Sequence, residues 1–176
     1  MNDDITNLSW KIIDTYFNDN PEILVAHHLD SYNNFFNSGI NRIFYENNPI
    51  RFQERDEGKE FKNECFLYLG GKQGDKIYLG KPIIYDENNT HYMYPNEARL
   101  RNMTYAFTLH MDVEVKFKIF LPDDKIIGTH KIHEETITLP KIYFGRFPIM
   151  LQSDLCVLNN LSHEVRFNMG ECRNDY

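Results

Sequence analysis

Two pairs of histidines offer the side chain that most often binds metal ions in proteins. They are His27 with His28, and His130 with His133. Adjacent residues on a helix point about 100° apart, and residues three apart on a strand face opposite sides, so neither pair is expected to share one ion. No cysteine lies near either pair to complete a zinc site. The sequence therefore predicts no metal site in this chain.

Acidic side chains are numerous, but they occupy the positions of solvated turns and polar faces. They cluster at Asp123–Asp124, at Glu134–Glu135 and around Arg55. General acid or base catalysis needs a carboxylate that is buried or held close to a partner. Cys156 lies among apolar residues with no base nearby in sequence, which favours a buried thiol over a nucleophile. The sequence predicts no catalytic residue.

The segment Gly70-Gly-Lys-Gln-Gly74 has the composition of a phosphate-binding loop without its spacing. A P-loop requires Gly-x-x-x-x-Gly-Lys-Ser/Thr between a strand and a helix. The flanking residues here have the pattern of two strands, Cys65–Leu69 and Lys76–Leu79. We therefore expect a hairpin turn at these glycines.

A short charged segment follows Pro95, a residue that suits the first turn of a helix. On that helix Glu97 and Arg101 are one turn apart, so the spacing predicts a structural ion pair. Arg99 points elsewhere on the same helix. It is either part of the same ionic structure or a contact to nucleic acid or to a neighbouring subunit.

Two more basic residues, Lys141 and Arg146, are candidates for the same kind of contact. An autonomous nucleic-acid site needs a dense basic surface that displaces counterions from phosphates. This chain has a formal net charge of -7, and its basic residues are scattered. Any contact with nucleic acid is therefore expected to come from a local patch or from an assembly.

The elements that position these side chains follow from apolar periodicity. Helical spacing predicts helices over residues 8–18 and 21–45, with Gly39 as the expected point of interruption in the second. Apolar residues occupy every second position from Tyr105 to Ile119, which predicts a long strand with one buried face.

Shorter elements complete the expected fold. A hairpin is predicted over residues 82–94, strands over 126–139 and 141–144, and a partly helical segment over 155–169. Helices and strands do not alternate regularly, so the sequence predicts an α+β fold. Amino-terminal helices would pack on a mostly antiparallel sheet, within a single domain of residues 1–176.

Bulk properties limit the class of protein. Hydrophobic residues make up 41% and charged residues 26% of the chain, as in ordinary globular proteins. No apolar run approaches the roughly 20 residues that cross a bilayer, and the acidic start lacks the features of a secretory signal. The three cysteines form no Cys-x-x-Cys pair, which favours free thiols in a reducing compartment. The expected location is intracellular.

Several segments, in this order, resemble the amino-terminal protrusion region of the second-largest subunit of multisubunit DNA-directed RNA polymerases. They are His28-Leu-Asp-Ser-Tyr-Asn-Asn-Phe35, Lys81-Pro82, Tyr94-Pro-Asn-Glu-Ala-Arg-Leu-Arg-Asn-Met-Thr-Tyr105, Gly145-Arg-Phe-Pro-Ile-Met-Leu-Gln-Ser153 and Gly170-Glu-Cys172. The resemblance covers nearly the whole chain. The richness in Asn, Ile and Tyr favours an origin in a large DNA virus.

The resemblance implies a structural part of a polymerase rather than a catalytic one. In that family this region forms a wall of the DNA cleft during DNA-templated RNA synthesis. The catalytic magnesium is held by the largest subunit, so this chain is expected to bind no cofactor and to be inactive alone. The implied partners are the largest and other polymerase subunits, with template DNA and RNA. The implied location is the nucleus or, for a viral protein, the virion or host cytoplasm.

Two departures from the family pattern accompany the resemblance. Gln152 stands where the family usually has Arg, which weakens the case for a charged contact at that loop. The chain stops at Asp175-Tyr176, where the family continues into Gly-Gly-Tyr-Phe and the lobe and catalytic wall, so a fragment is expected. The alternative function is a non-enzymatic interaction module or assembly factor derived from the protrusion domain, which the downstream reading frame would distinguish.

Overall fold

The helices of this protein lie mainly at its amino terminus. The structure is a computed structural model that describes residues 2–20, 23–55, 61–87, 89–122 and 130–171. The helices are α1 (Asn2–Asp19), α2 (Ala26–Asn34), α3 (Ile40–Asn47), α4 (Pro95–Leu100) and α5 (His163–Asn168). A π-helical segment, Phe35–Gly39, joins α2 directly to α3.

The strands form one five-stranded sheet and one separate hairpin. They are β1 (Ile50–Arg55), β2 (Phe61–Leu69), β3 (Ile77–Gly80), β4 (Ile83–Asp86), β5 (Asn89–Tyr92), β6 (Ala106–Pro122) and β7 (His130–Pro148). Strands β4 and β5 pair with each other, and the other five form the larger sheet. Every pairing is antiparallel. The predicted α+β class with a mostly antiparallel sheet is confirmed, and so is the hairpin over residues 82–94.

Strand β6 is the centre of the sheet and carries the core. Its apolar residues alternate as predicted in the first half of the strand, where Phe107, Leu109, Met111 and Val113 are buried on one face. Phe117 and Ile119 were predicted on the same buried face, but they are exposed. The side chains that cover this face come from both ends of the chain: Phe36 and Ile40 from the helices, and Ile149, Cys156 and Leu158 from the carboxy-terminal segment. The buried part of β6 therefore joins the two ends of the chain in one core.

The glycine-rich loop is not a hairpin turn, and that prediction is wrong. Strands β2 and β3 both pair antiparallel with the same edge of β6, β2 beside residues 113–119 and β3 beside residues 108–111. They therefore run in the same direction, one after the other, and the loop between them leaves the sheet edge and returns to it. Glycines allow the positive φ angles that such a loop needs, but they do not decide whether the chain reverses.

The two strands predicted over residues 126–139 and 141–144 are a single strand, β7. Pro140 lies between the two predicted strands, and pairing with β6 continues on both sides of it. The register shifts there, and Lys141 takes a positive φ of 51°. The backbone N–H of Lys141 donates to Asp112 Oδ1 at 2.9 Å. This carboxylate replaces the backbone acceptor that the irregular pairing removes.

Asp112 also connects β6 to the loop and strand on its other side. Its backbone carbonyl accepts from the N–H groups of Gly70 and Gly71, and its own N–H donates to the carbonyl of Lys76. Asp112 Oδ2 accepts from the hydroxyl of Tyr78 at 3.3 Å. One nearly buried residue thus holds both neighbours of β6 where their pairing is irregular.

The amino-terminal helices differ from the prediction in three ways. Helix α2 begins at Ala26 rather than Pro21, which lies outside the described residues. Gly39 does not interrupt the second helix, because the chain continues through the π-helical turn into α3. Helix α1 does not cover the sheet, since its residues Trp10, Ile13 and Phe17 are exposed.

The carboxy-terminal segment is only partly helical, as predicted. Turns occupy most of residues 151–161, and the short helix α5 follows, capped by the Ser162 hydroxyl. Predictions for Asp123–Asp124, for the acidic residues after Arg55 and for Cys172 fall outside the described residues.

We predict that Gly74→Ala destabilises the protein more than Gly170→Ala. Both glycines have φ near +70°, so each substitution brings the strain of a left-handed backbone. A Cβ on Gly74 would also lie 2.7 Å from the carbonyl oxygen of Asn41 and the nitrogen of Tyr45, whereas one on Gly170 would meet nothing within 4 Å. In urea unfolding, Gly74→Ala should lower the free energy of unfolding by about 1–3 kcal/mol more than Gly170→Ala does. Equal losses would contradict a close approach of the loop to α3.

A second prediction concerns Asp112. Replacing it with Ala removes the acceptor for the Lys141 N–H and the Tyr78 hydroxyl, which should lower the free energy of unfolding by about 2–3 kcal/mol. Glu114→Ala is the matched control, because it removes a carboxylate from the same strand that forms only an ion pair with Lys76. That control should cost about 1 kcal/mol or less by the same unfolding measurement. A smaller loss for Asp112→Ala than for Glu114→Ala would show that Asp112 does not hold the sheet.

Candidate nucleic-acid and subunit interface

An ionic network joins helix α4 to the β4–β5 hairpin. Tyr94 has an extended backbone and precedes Pro95, the first residue of the helix. The Arg101 guanidinium donates to both oxygens of Asp86, at 2.9 and 3.0 Å. Arg101 Nε lies 3.1 Å from Glu97 Oε1, one helical turn earlier. The pair expected from the sequence spacing is therefore present, within a larger network.

His91 extends this network along the hairpin. Its Nε2 atom lies 3.1 Å from both carboxylate oxygens of Glu97. The same short helix is attached to the carboxy-terminal segment, because the backbone N–H of Asn96 donates to Glu171 at 3.1 Å. Helix α4 is too short to be stable alone, so these contacts position it.

Asp86 and Arg101 each shift the pKa of the other side chain. Hydrogen bonds from Arg101 lower the pKa of the Asp86 carboxyl below its ordinary value. The same carboxylate raises the pKa of the Arg101 guanidinium. Both side chains are close to half exposed, so solvent screens the pair. Its contribution is a fixed orientation of the hairpin on the helix rather than a large free energy.

Beside this network lies an open cavity of about 580 Å³, here called the basic groove. Its cationic lining residues are Lys81, Arg101 and Arg146, and its lining also includes the buried side chains Ile84, Met93 and Ala106. Gly80, Thr108 and Arg146 lie side by side on β3, β6 and β7, so the sheet itself forms one wall. The groove combines buried apolar side chains with three cations and the carboxylate of Asp86.

The cations of the basic groove differ in their partners. Arg101 is neutralised by Asp86 and Glu97. Lys81 lies over the ring of Tyr92, 5.2 Å from its centroid, and has no carboxylate partner among the described residues. Arg146 likewise forms no ion pair within the described part of the chain. Two positive charges are therefore available to an anionic group.

The structure separates the three basic residues singled out by the sequence. Arg146 lines the groove, and Arg99 and Lys141 do not. Arg99 is exposed in the last turn of α4. Lys141 occupies the irregular position in β7, where its ammonium group lies 5.5 Å from the centroid of the Tyr78 ring. Its position is set by local sheet structure.

Sequence reasoning missed two members of this site. The sequence predicts only a hairpin around Asp86, although Asp86 is the principal partner of Arg101. Lys81 was noted only as part of a family motif. Asp86 and Arg101 are 15 residues apart, beyond the reach of any helical spacing rule. Only the sequence signal for the 82–94 hairpin, which returns the chain toward α4, could have suggested the contact.

Lys81 and Arg146 give this arrangement the charge that would attract an anionic group. Among the described residues no three His, Cys, Asp or Glu side chains converge as metal ligands. The rings of His27 and His28 lie 3.9 Å apart on α2, outside the groove, so the expectation that these two side chains diverge is wrong. Among the described helices, none is both long enough and apolar enough to cross a membrane.

Comparison with known proteins identifies one family. Residues 23–176 match the family described as RNA polymerase beta subunit. The chain is 34% identical over 174 residues to the DNA-directed RNA polymerase II subunit RPB2 of Eremothecium gossypii, covering 93% of this chain and 14% of that protein. The protein of the same name from Encephalitozoon cuniculi is 32% identical, with 95% and 13% covered. The DNA-directed RNA polymerase subunit Rpo2N of Methanothermobacter thermautotrophicus is also 32% identical, with 93% and 26% covered.

These relatives are much longer than the chain. The chain spans between 13% and 26% of the length of these three relatives. The matched region includes the sheet, α4 and the whole basic groove.

The ionic network leads to a prediction about acid stability. Because the folded-state pKa of Asp86 is lowered, its stabilising effect is present above its ordinary pKa of 3.8 and is lost as the pH falls through the lower folded value. Asp86→Asn should therefore be less stable than the wild type near neutral pH, and the difference should shrink below pH 3.8. Urea unfolding across that range measures it.

The control for this experiment is Glu87→Gln, which removes a carboxylate from the adjacent turn position. For Glu87→Gln, the difference in unfolding free energy from the wild type is not expected to shrink in the same way below pH 3.8. A difference between wild type and Asp86→Asn that stays constant on both sides of pH 3.8 would show that the Asp86–Arg101 pair does not stabilise the fold.

Proposed function

Because this chain belongs to the RNA polymerase beta subunit family, we propose that it forms part of the wall of the DNA cleft in a DNA-directed RNA polymerase. Its role is to position and retain nucleic acid, while the chemistry of nucleotide addition takes place on another subunit. The observation that carries this proposal is the basic groove. There, Lys81 and Arg146 project positive charge with no carboxylate partner among the described residues.

The charge of the chain supports a role inside an assembly. A protein with net charge of -7 is repelled by DNA at long range, so two local cations do not create an independent DNA-binding protein. When other subunits already hold the duplex nearby, the same two cations can contact its phosphates. The cost of bringing the DNA to the protein is then met by those other subunits. The proposed partners are therefore the largest and other polymerase subunits, with DNA and RNA.

Two further parts of the proposal, the magnesium ion and the location, rest on family membership and not on the groove. The magnesium ion of the complete enzyme would be held by the largest subunit, and none by this chain. The location would be the nucleus, as expected for a relative of RNA polymerase II subunits. An origin in a large DNA virus and a single domain over residues 1–176 stay predictions.

The second candidate is an interaction module derived from the same fold. Helix α1 favours it, because seven of its large apolar side chains are exposed and available to another protein surface. Those residues are Ile5, Leu8, Trp10, Ile12, Ile13, Tyr16 and Phe17. A polymerase subunit also has neighbours, so this observation does not by itself choose between the two functions. The identity of the chains bound in cells does.

We predict that a tagged form of this protein co-purifies with the largest polymerase subunit. In that assembly a photo-cross-linking phenylalanine at Tyr85 should react with bound DNA. Tyr85 lines the groove and is 79% exposed, so the replacement keeps all three cations. Mass spectrometry of co-purified chains and gel analysis of labelled DNA measure the two outcomes.

The matched control places the same cross-linker at Tyr143, an exposed aromatic residue on β7 that does not line the groove. It should give little cross-linked DNA. Charge reversal by Lys81→Glu and Arg146→Glu should lower the Tyr85 cross-link several-fold, whereas Lys72→Glu in the glycine-rich loop should not. Co-purification with no polymerase subunit would favour the interaction module. Equal cross-linking from both tyrosine positions would remove the groove from the proposal.

A further inference from the structure

Strand β7 has one open edge. Along residues 131–139 it pairs with β6 on one side, and no described strand pairs with it on the other. An open edge presents unpaired N–H and C=O groups, which can pair with a further strand. The opposite edge of the sheet, β1, has only six residues, against nineteen in β7. The β7 edge is the longer of the two.

Natural edge strands are usually protected by proline, by irregular pairing or by charge. In β7 the first two devices occur together at Pro140 and Lys141, at one end of the open stretch. Residues 131–139 have neither of them, and their protection is limited to the charges of Lys131, Glu134 and Glu135. This part of the edge is regular enough to accept another strand, and Pro140 sets where that strand must stop.

The side chains along this edge define what would fit. Ile137 and Leu139 pair with Val115 and Val113, so they share the face that carries the core. They are 45% and 43% exposed, and an added strand would cover them. Glu135 lies on the same face, opposite Phe117. The edge therefore combines two half-exposed apolar side chains with one carboxylate.

The carboxylates of Glu134 and Glu135 differ in a way that points to a partner. Glu134 lies on the other face, where its oxygens are 2.6 Å from Lys116 and 3.2 Å from Lys118. Glu135 has no cationic partner among the described residues. Glu135 is exposed, so an added strand that carries a cation beside it would gain an ion pair that an apolar side chain could not form.

We propose that residues 131–139 of β7 bind an extended segment of another polypeptide by strand addition. That segment places apolar residues beside Ile137 and Leu139 and a lysine or arginine beside Glu135. Backbone hydrogen bonds supply affinity, and the alternating side chains supply selectivity. This inference goes beyond the proposed role in the DNA cleft and does not depend on it.

A second copy of the chain fits this edge less well. In a symmetric antiparallel pairing, Glu135 would need Lys141 of the second copy opposite it, so that Ile137 could face Leu139. That register also places Pro140 of the second copy opposite Thr136, within the paired stretch. Pro140 has no N–H to donate. The Lys141 ammonium lies over Tyr78, whose strand partner His110 alternates with the core residues of β6, so it is on the opposite face from Glu135. The occupant is therefore a different sequence.

The test uses a synthetic, fluorescently labelled peptide of sequence Val-Thr-Val-Thr-Lys-Thr-Thr. In an antiparallel register its valines face Leu139 and Ile137 and its lysine faces Glu135. Titration of the full chain should give saturable binding by fluorescence anisotropy. Hydrogen exchange should slow on binding at amides within residues 131–139 and not in β1.

Charge exchange separates specific strand addition from general adhesion. Glu135→Arg should weaken binding of the lysine peptide about fivefold or more. A peptide with glutamate in place of the lysine should bind Glu135→Arg better than it binds the wild type. Glu164→Arg, the same change on the exposed helix α5, should leave binding of both peptides unchanged.

Three results would overturn the proposal. One is the absence of saturable binding by a wild type whose circular dichroism shows it to be folded. Another is equal binding of the lysine and glutamate peptides. The third is a concentration-dependent dimer in sedimentation that is lost in Glu135→Arg, which would assign the edge to a second copy of the chain.

Discussion

The sheet depends on how Asp112 satisfies the irregular pairing on both sides of β6. Its carboxylate accepts from the backbone of Lys141 on one side and from the hydroxyl of Tyr78 on the other. Its backbone groups hold the start and end of the glycine-rich loop. Buried polar groups need partners, and a residue that is itself nearly buried supplies them here. With β6 held between its neighbours, its apolar face can be covered from both ends of the chain.

The same long strand relates the core to the candidate site. Thr108 of β6 lies between Gly80 and Arg146, one position from the buried Phe107. The groove wall is therefore part of the strand that carries the core, while Arg101 and Asp86 join the hairpin to α4 beside it. Arg101 uses its charge for structure, which leaves Lys81 and Arg146 for a ligand. This division explains how an acidic chain presents a local positive surface.

Several elements were predictable because their signals are local. The alternation from Tyr105 to Ile119 requires one buried face, and Pro95 followed by Glu97 favours a helix start. The errors also have physical causes. Glycines indicate an unusual backbone but not its direction, so the loop after β2 was mistaken for a hairpin. Pro140 suggests the end of a strand, but a carboxylate from β6 lets β7 continue past it. Helix α1 has an amphipathic pattern, yet a pattern does not say which surface it will meet.

The sequence by itself determined the α+β class, the central strand, the charged helix start and, through ordered motifs along the chain, the polymerase family. Each of these depends on residue type and short spacing, which the sequence states directly. Tertiary structure alone decided that Asp86 meets Arg101, that Lys81 and Arg146 share a groove while Arg99 and Lys141 do not, and that no described strand pairs with the outer edge of β7. Such contacts join residues far apart in the chain, and their geometry depends on how every element between them packs.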